Sequence, residues 1–159
     1  MRGYESIFAY PIYGAPDFNP NNGDEFVYLV DSGEDEKELR VFHIPTAEER
    51  VLVSGAIRSQ PDWGANGWIL FSTISNQLWK IHETGDSLTQ LSVEDIYEDG
   101  RWNQDGSQYI AWASTADTTF VGIFDSEGNL LQMVSRPYGN GAWAPQSIIL
   151  SSFRPIGAD

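Results

Sequence analysis

Two histidines, His43 and His82, and a large excess of carboxylates are the side chains in this sequence best suited to acid–base or metal chemistry. An imidazole titrates near neutral pH, and clustered carboxylates hold hard cations or move protons. Spacing argues against both uses here. His43 ends the run Leu39-Arg40-Val41-Phe42-His43, His82 ends Leu78-Trp79-Lys80-Ile81-His82, and Asp125 ends Val121-Gly122-Ile123-Phe124-Asp125; each run enters a polar turn. Residues that recur at one place before a turn are read as bonding local backbone rather than as bases or ligands. No Gly-x-Ser-x-Gly, His-Glu-x-x-His or Gly-rich phosphate loop occurs, and without cysteine there is no thiolate nucleophile or disulfide. The expectation is a protein that is not an enzyme.

The acidic residues gather in two stretches. One holds Asp31, Glu34, Asp35 and Glu36 within Asp31–Glu38; the other holds Glu94, Asp95, Glu98 and Asp99. The first does not match EF-hand spacing, so it reads as a solvated hairpin tip, with a weak Ca²⁺ site as the alternative. No cofactor and no metal are otherwise implied. A net charge of −14 repels phosphate backbones and anionic membrane faces, which excludes nucleic acid as a partner and favours basic protein or peptide segments. The opening Met1-Arg2-Gly3-Tyr4-Glu5 does not read as a signal peptide, and no apolar run reaches the ~20 residues of a membrane span, so a soluble chain is expected.

What must position these residues is a repeat. An aromatic followed by a turn recurs at Phe18, Trp63, Trp102 and Trp143, at spacings of 45, 39 and 41, with Gly23, Gly67 and Gly106 closing the first three turns. After each comes a β-branched or aromatic run: Phe26–Val30, Trp68–Phe71, Tyr109–Trp112 and Ile148–Leu150. Asn-Gly or Asp-Gly before such a run signals a hairpin, since both residues tolerate positive φ. The runs ending at His43, His82 and Asp125 make a third strand, and a fourth ends at Ser54, Ser92 and Ser135, 11, 10 and 10 residues later. Four short strands in about 40 residues, with 41% hydrophobic residues and no sustained 3.6-residue period, describe an all-β propeller blade.

Pro61-Asp62-Trp63-Gly64-Ala65-Asn66-Gly67 and Ala142-Trp143-Ala144-Pro145 resemble the Pro-Asp-Trp-Ser-Pro-Asp-Gly signature of TolB-like (WD-like) β-propeller repeats, with Pro16-Asp17-Phe18 and Arg101–Gly106 as looser copies. The resemblance implies a single β-propeller domain over 1–159 with three complete four-stranded blades at 14–54, 59–92 and 100–135. A split fourth blade would be assembled from 1–12 with 141–154. Three closures stay open: a four-bladed ring within one chain, an eight-bladed homodimer in which each chain completes the other's fourth blade, or part of a longer propeller.

Antiparallel alternation puts second-to-third and fourth-to-next-first connections on one face, so both acidic stretches should rim the same opening, with Arg136 and Tyr138 as further contacts there. Phe18, Trp63, Trp102 and Trp143 are read as packing between blades. The expectation is thus a non-catalytic scaffold that binds a protein or peptide through an acidic, loop-bearing face; a propeller enzyme using rim carboxylates and a metal, or a structural piece of a larger propeller, are its rivals. Resemblance to TolB suggests an extracytoplasmic, periplasmic setting.

Overall fold

The computed structural model describes residues 12–33, 35–91, 96–114 and 119–135. Among them every regular element is a strand, in three antiparallel sheets of four. The first blade is β1 (Ile12–Phe18), β2 (Glu25–Gly33), β3 (Glu36–His43) and β4 (Glu48–Gly55). The second is β5 (Asp62–Trp63), β6 (Trp68–Ser72), β7 (Leu78–His82) and β8 (Thr89–Gln90). The third is β9 (Ile96–Trp102), β10 (Gln108–Ser114), β11 (Thr119–Asp125) and β12 (Leu130–Ser135). Each sheet keeps its strands in sequence order, so each blade is a meander with short connections. No helix among the described residues is long and apolar enough to cross a membrane.

The second strands read as nearly unbroken apolar runs because both faces of a blade meet other residues. Val27 and Leu29 of β2, with Leu39 and Val41 of β3, pack against Trp63, Ile69, Phe71 and Ile81 of the second blade. The alternate residues Tyr28, Val30 and Phe42 form a separate buried cluster on the far side of the first blade. Between the second and third blades, Leu70 and Leu78 meet Tyr109, Ala111 and Phe124, with Tyr109 and Phe124 stacked at 5.1 Å.

The first-to-second turns are built alike in the last two blades. Gly67 and Gly106 take left-handed φ of 79° and 72°, while Asn66 and Asp105 use their side chains to accept the N–H two residues ahead, from Trp68 and Ser107. Of the Asn-Gly and Asp-Gly pairs, only the glycine therefore uses positive φ. The first blade differs: Gly23 follows its aromatic by five residues rather than four, and it is not among the glycines at positive φ.

Of the expected split blade, residues 1–11 and 141–154 lie outside the described residues; Ile12 belongs to β1, where it pairs with Val30.

Candidate functional site

The first acidic stretch is the hairpin tip expected of it, with its ladder running nearly to the turn. Only residues 34 and 35 connect β2 to β3, and the stretch on either side is ladder: Asp31 lies opposite Lys37, and Gly33 opposite Glu36. Asp35 takes φ of 65° in the turn, and the Asp31 carboxylate accepts the N–H of Gly33 at 3.0 Å. A continuous polar run, exposed at Asp31, Ser32, Gly33, Asp35 and Glu36, suits a projecting hairpin tip, and the strand pairing extends into it further than composition alone shows. Asp31, Asp35 and Glu36 are exposed there, Asp31 and Glu36 on different rungs and Asp35 in the turn; Glu34 lies outside the described residues.

The second stretch is corrected. Glu98 and Asp99 belong to β9, where Glu98 lies opposite Trp112. The register steps from Trp112 to Ile110 while β9 advances from Glu98 to Arg101, so Asp99 and Gly100 share one partner position. Asp99, with φ of 49°, is exposed at this bulge. Glu94, Asp95, Arg136, Tyr138 and the marker Trp143 lie outside the described residues.

His43, His82 and Asp125 each bond their own third-to-fourth turn. Nδ1 of His43 is 2.8 Å from the Thr46 hydroxyl, and Nδ1 of His82 is 2.9 Å from that of Thr84. The Asp125 carboxylate accepts the N–H groups of Glu127 and Asn129 and the Asn129 side-chain amide, and these bonds, that of Asn129 foremost, hold it below the usual carboxylate range.

Sequence reasoning missed how blades are latched. The Asp17 carboxylate accepts the backbone N–H of Trp63 at 2.7 Å, and Asp62, the same position one repeat on, accepts that of Trp102 at 2.6 Å. Asn21 donates to the carbonyl of Ala65, and Asn66 to that of Gly106. The recurring Pro-Asp-aromatic triplet was the available signal, but its aromatic was read and its carboxylate was not. Burial pushes the Asp62 carboxyl above the ordinary range, although the Trp102 N–H and the Arg101 guanidinium pull the other way.

The carboxylates that do gather stand at the opposite end from the predicted rim, where first-to-second and third-to-fourth turns emerge. Asp24, Glu25, Glu48 and Glu49 come from the first blade, Glu83 and Asp86 from the second, Asp105, Asp125 and Glu127 from the third. Spread one or two at a time over three repeats, they form no long run in the sequence. Among the described residues, the basic groups reaching this end are already engaged. Arg40 bonds Glu38 and Glu49, and Arg50 bonds Glu25 at 2.7 Å and the carbonyl of Glu83 at 3.1 Å. Lys80, buried beneath the Trp68 ring, donates to the carbonyl of Ser126 at 2.6 Å and pairs with Glu127 at 3.3 Å. Burial raises the Glu25 carboxyl, but the bond and charge of Arg50 and the bond from Asn19 outweigh it, leaving it below its ordinary 4.5.

Glu25, His43, Glu48, Glu49 and Arg50 line an open depression at this end. Since Arg50 and Lys80 each tie one blade to the next blade's turn, the carboxylates sit on one continuous, braced surface. It can attract cationic groups. Among the described residues, no three His, Asp or Glu side chains are grouped to hold a metal ion.

No family model and no curated protein sequence matches this chain. Solved structures do. TolB from Acinetobacter baumannii is 16% identical with a TM-score of 0.61, over 76% of this chain and 31% of that one. An oligogalacturonate lyase in complex with manganese is 14% identical with a TM-score of 0.65, over 79% and 42%. The β-propeller domain of the Trilobed protease from Pyrococcus furiosus, which has an open velcro topology, is 14% identical with a TM-score of 0.61, over 85% and 46%. The chain spans less than half the length of each of the three. Their names cover enzymes as well as TolB, so what they share with this chain is architecture. With its stacked meanders latched through their first strands, the chain has the TolB-like β-propeller fold.

Proposed function

We propose that this chain is a non-catalytic scaffold for protein or peptide binding, and that its partner presents a positively charged segment to the end carrying the first-to-second and third-to-fourth turns. The observation that supports this reading is the excess of carboxylates there, with Arg40, Arg50 and Lys80 already spent on internal bonds. Free carboxylate lone pairs on a braced surface raise the local concentration of a cationic partner and speed encounter more than they tighten the final complex. The end bearing Asp31 and Asp99 is the weaker candidate, because Lys37 stands opposite Asp31 in the ladder and Arg58 bonds Asn76 of the second blade's second-to-third turn there. An extracytoplasmic setting is part of the same proposal and rests on the fold shared with TolB.

The test is fluorescence anisotropy with a labelled Lys/Arg-rich peptide at about 50 and about 200 mM salt, where screening lengths differ by roughly a factor of two. The reading expects binding that weakens with salt and is abolished by E48K with D86K and E127K, but not by D31K with E36K. Equal loss from both sets, or none from the first, would sink it.

A further inference from the structure

Equivalent positions in the three second strands have unequal fates. Val27, Leu70 and Ile110 occupy one register position, opposite the first-strand residues Asp17, Asp62 and Arg101. Two residues on stand Leu29, Ser72 and Trp112. In the first two blades these positions face the following blade and are sealed: Val27, Leu29 and Leu70 are 0% exposed and Ser72 1%. In the third blade Ile110 is 48% and Trp112 45% exposed. The third blade thus presents, half open, the apolar face that in its predecessors a following blade covers.

We propose that residues 141–154 of this same chain dock on that face as the first strands of a fourth blade, with Ile149 seated over Ile110 and Trp112. Three features argue for this occupant. Trp143 lies eight residues beyond Ser135, as Trp63 lies eight beyond Gly55, so the connection has the length that seats the second blade on the first. Ile149 follows Trp143 by six residues, as Ile69 follows Trp63, and Ile69 is one of the second-blade residues packed in the cluster with Val27. The run Ile148-Ile149-Leu150 is also uncharged, which matches the apolar face it would cover.

The new junction is chemically unlike the earlier two. Where Asp17 and Asp62 accept a bond from the next blade, the third repeat has Arg101, which instead turns back to the Pro61 carbonyl at 3.2 Å and to Asp62 at 3.4 Å. Where Asn66 donates forward, Asp105 stands, and an ionised carboxylate only accepts. Neither recurrent latch continues, so the fourth-blade strands are held by apolar burial, and this junction is the one that parts first.

The chain has no cysteine, so a thiol at one position reports without background. Full-length I110C is reacted with a maleimide and compared with I110C carrying I149D and L150D, across about a hundredfold range of protein concentration. The expected result is slow labelling of I110C, independent of concentration, and at least tenfold faster labelling once the two aspartates are present. A double variant, I110C with I149C, treated with a short bis-maleimide, should give an intrachain cross-link that migrates as a compact monomer, and it needs no destabilising change. Labelling of I110C at the rate of an open thiol overturns the proposal. So does protection that grows with concentration or a cross-link found only between chains, since either makes a second copy the occupant.

Discussion

A carboxylate that accepts a neighbouring blade's N–H does two things at once. It satisfies a donor that burial would otherwise orphan, and it fixes how far one sheet can slide on the next. D62A should therefore cost about 1–3 kcal/mol in urea unfolding, because the Trp102 N–H loses its acceptor. D62N keeps an acceptor oxygen and should cost much less, and equal losses would show that charge rather than the bond matters. The two perturbed carboxyls titrate with opposite signs. Asp62 is raised in the folded state, so its contribution is fullest below the ordinary 3.8 and falls as pH rises through the folded value. Glu25 is lowered, so the stability it lends is present above 4.5 and is lost as pH falls through its folded value. E25Q should flatten the acid limb of a stability-against-pH curve, and an unchanged limb would remove the Arg50 pairing from the account.

Elements differ in how well their residues announced them. The runs Phe26–Val30, Trp68–Phe71 and Tyr109–Trp112 were legible as strands because β-branched and aromatic side chains on both faces leave few other conformations. The stretch Asp31–Glu38 was legible as a hairpin tip but not in how far its ladder runs, since a run of charges says nothing about register until the strands behind it fix it. Nor was the bulge at Asp99 legible, where polar composition resembled a connection. The turns supply the sharpest test at this scale. A Cβ at Gly106 would stand 2.8 Å from the backbone N of Asn66, at φ of 72°, so G106A should destabilise by about 1–3 kcal/mol through strain and a lost approach between blades. The fourth strands should also differ in hydrogen exchange. β8 pairs through two residues where β4 and β12 pair through most of their length, so the amides of Thr89 and Gln90 should exchange fastest of the outer strands.

For the molecule as a whole, charge and stacking act together. The candidate surface escaped a linear reading because its carboxylates come one or two per turn from three repeats, and only the common direction of those turns assembles them. A scaffold without a built metal site should show no rise in melting temperature at millimolar Ca²⁺ or Mn²⁺, whereas a specific site of micromolar affinity would add about 4 kcal/mol at a thousandfold excess over its Kd. A clear shift would favour the metal-dependent enzyme as the better account.

Among the described residues, blade two is bonded in both directions. It offers a donor backward, through the Trp63 N–H, and an acceptor forward, through Asp62; it also receives from Asn21 and gives from Asn66. Its two sides are therefore complementary to one another. A tandem duplicate of residues 56–91 spliced between the second and third repeats would find matching hydrogen-bond partners at both of its boundaries, while its Leu70 and Leu78 side would meet Trp63, Ile69, Phe71 and Ile81 in place of Tyr109, Ala111 and Phe124. The third repeat, with Arg101 and Asp105, could not be copied in this way.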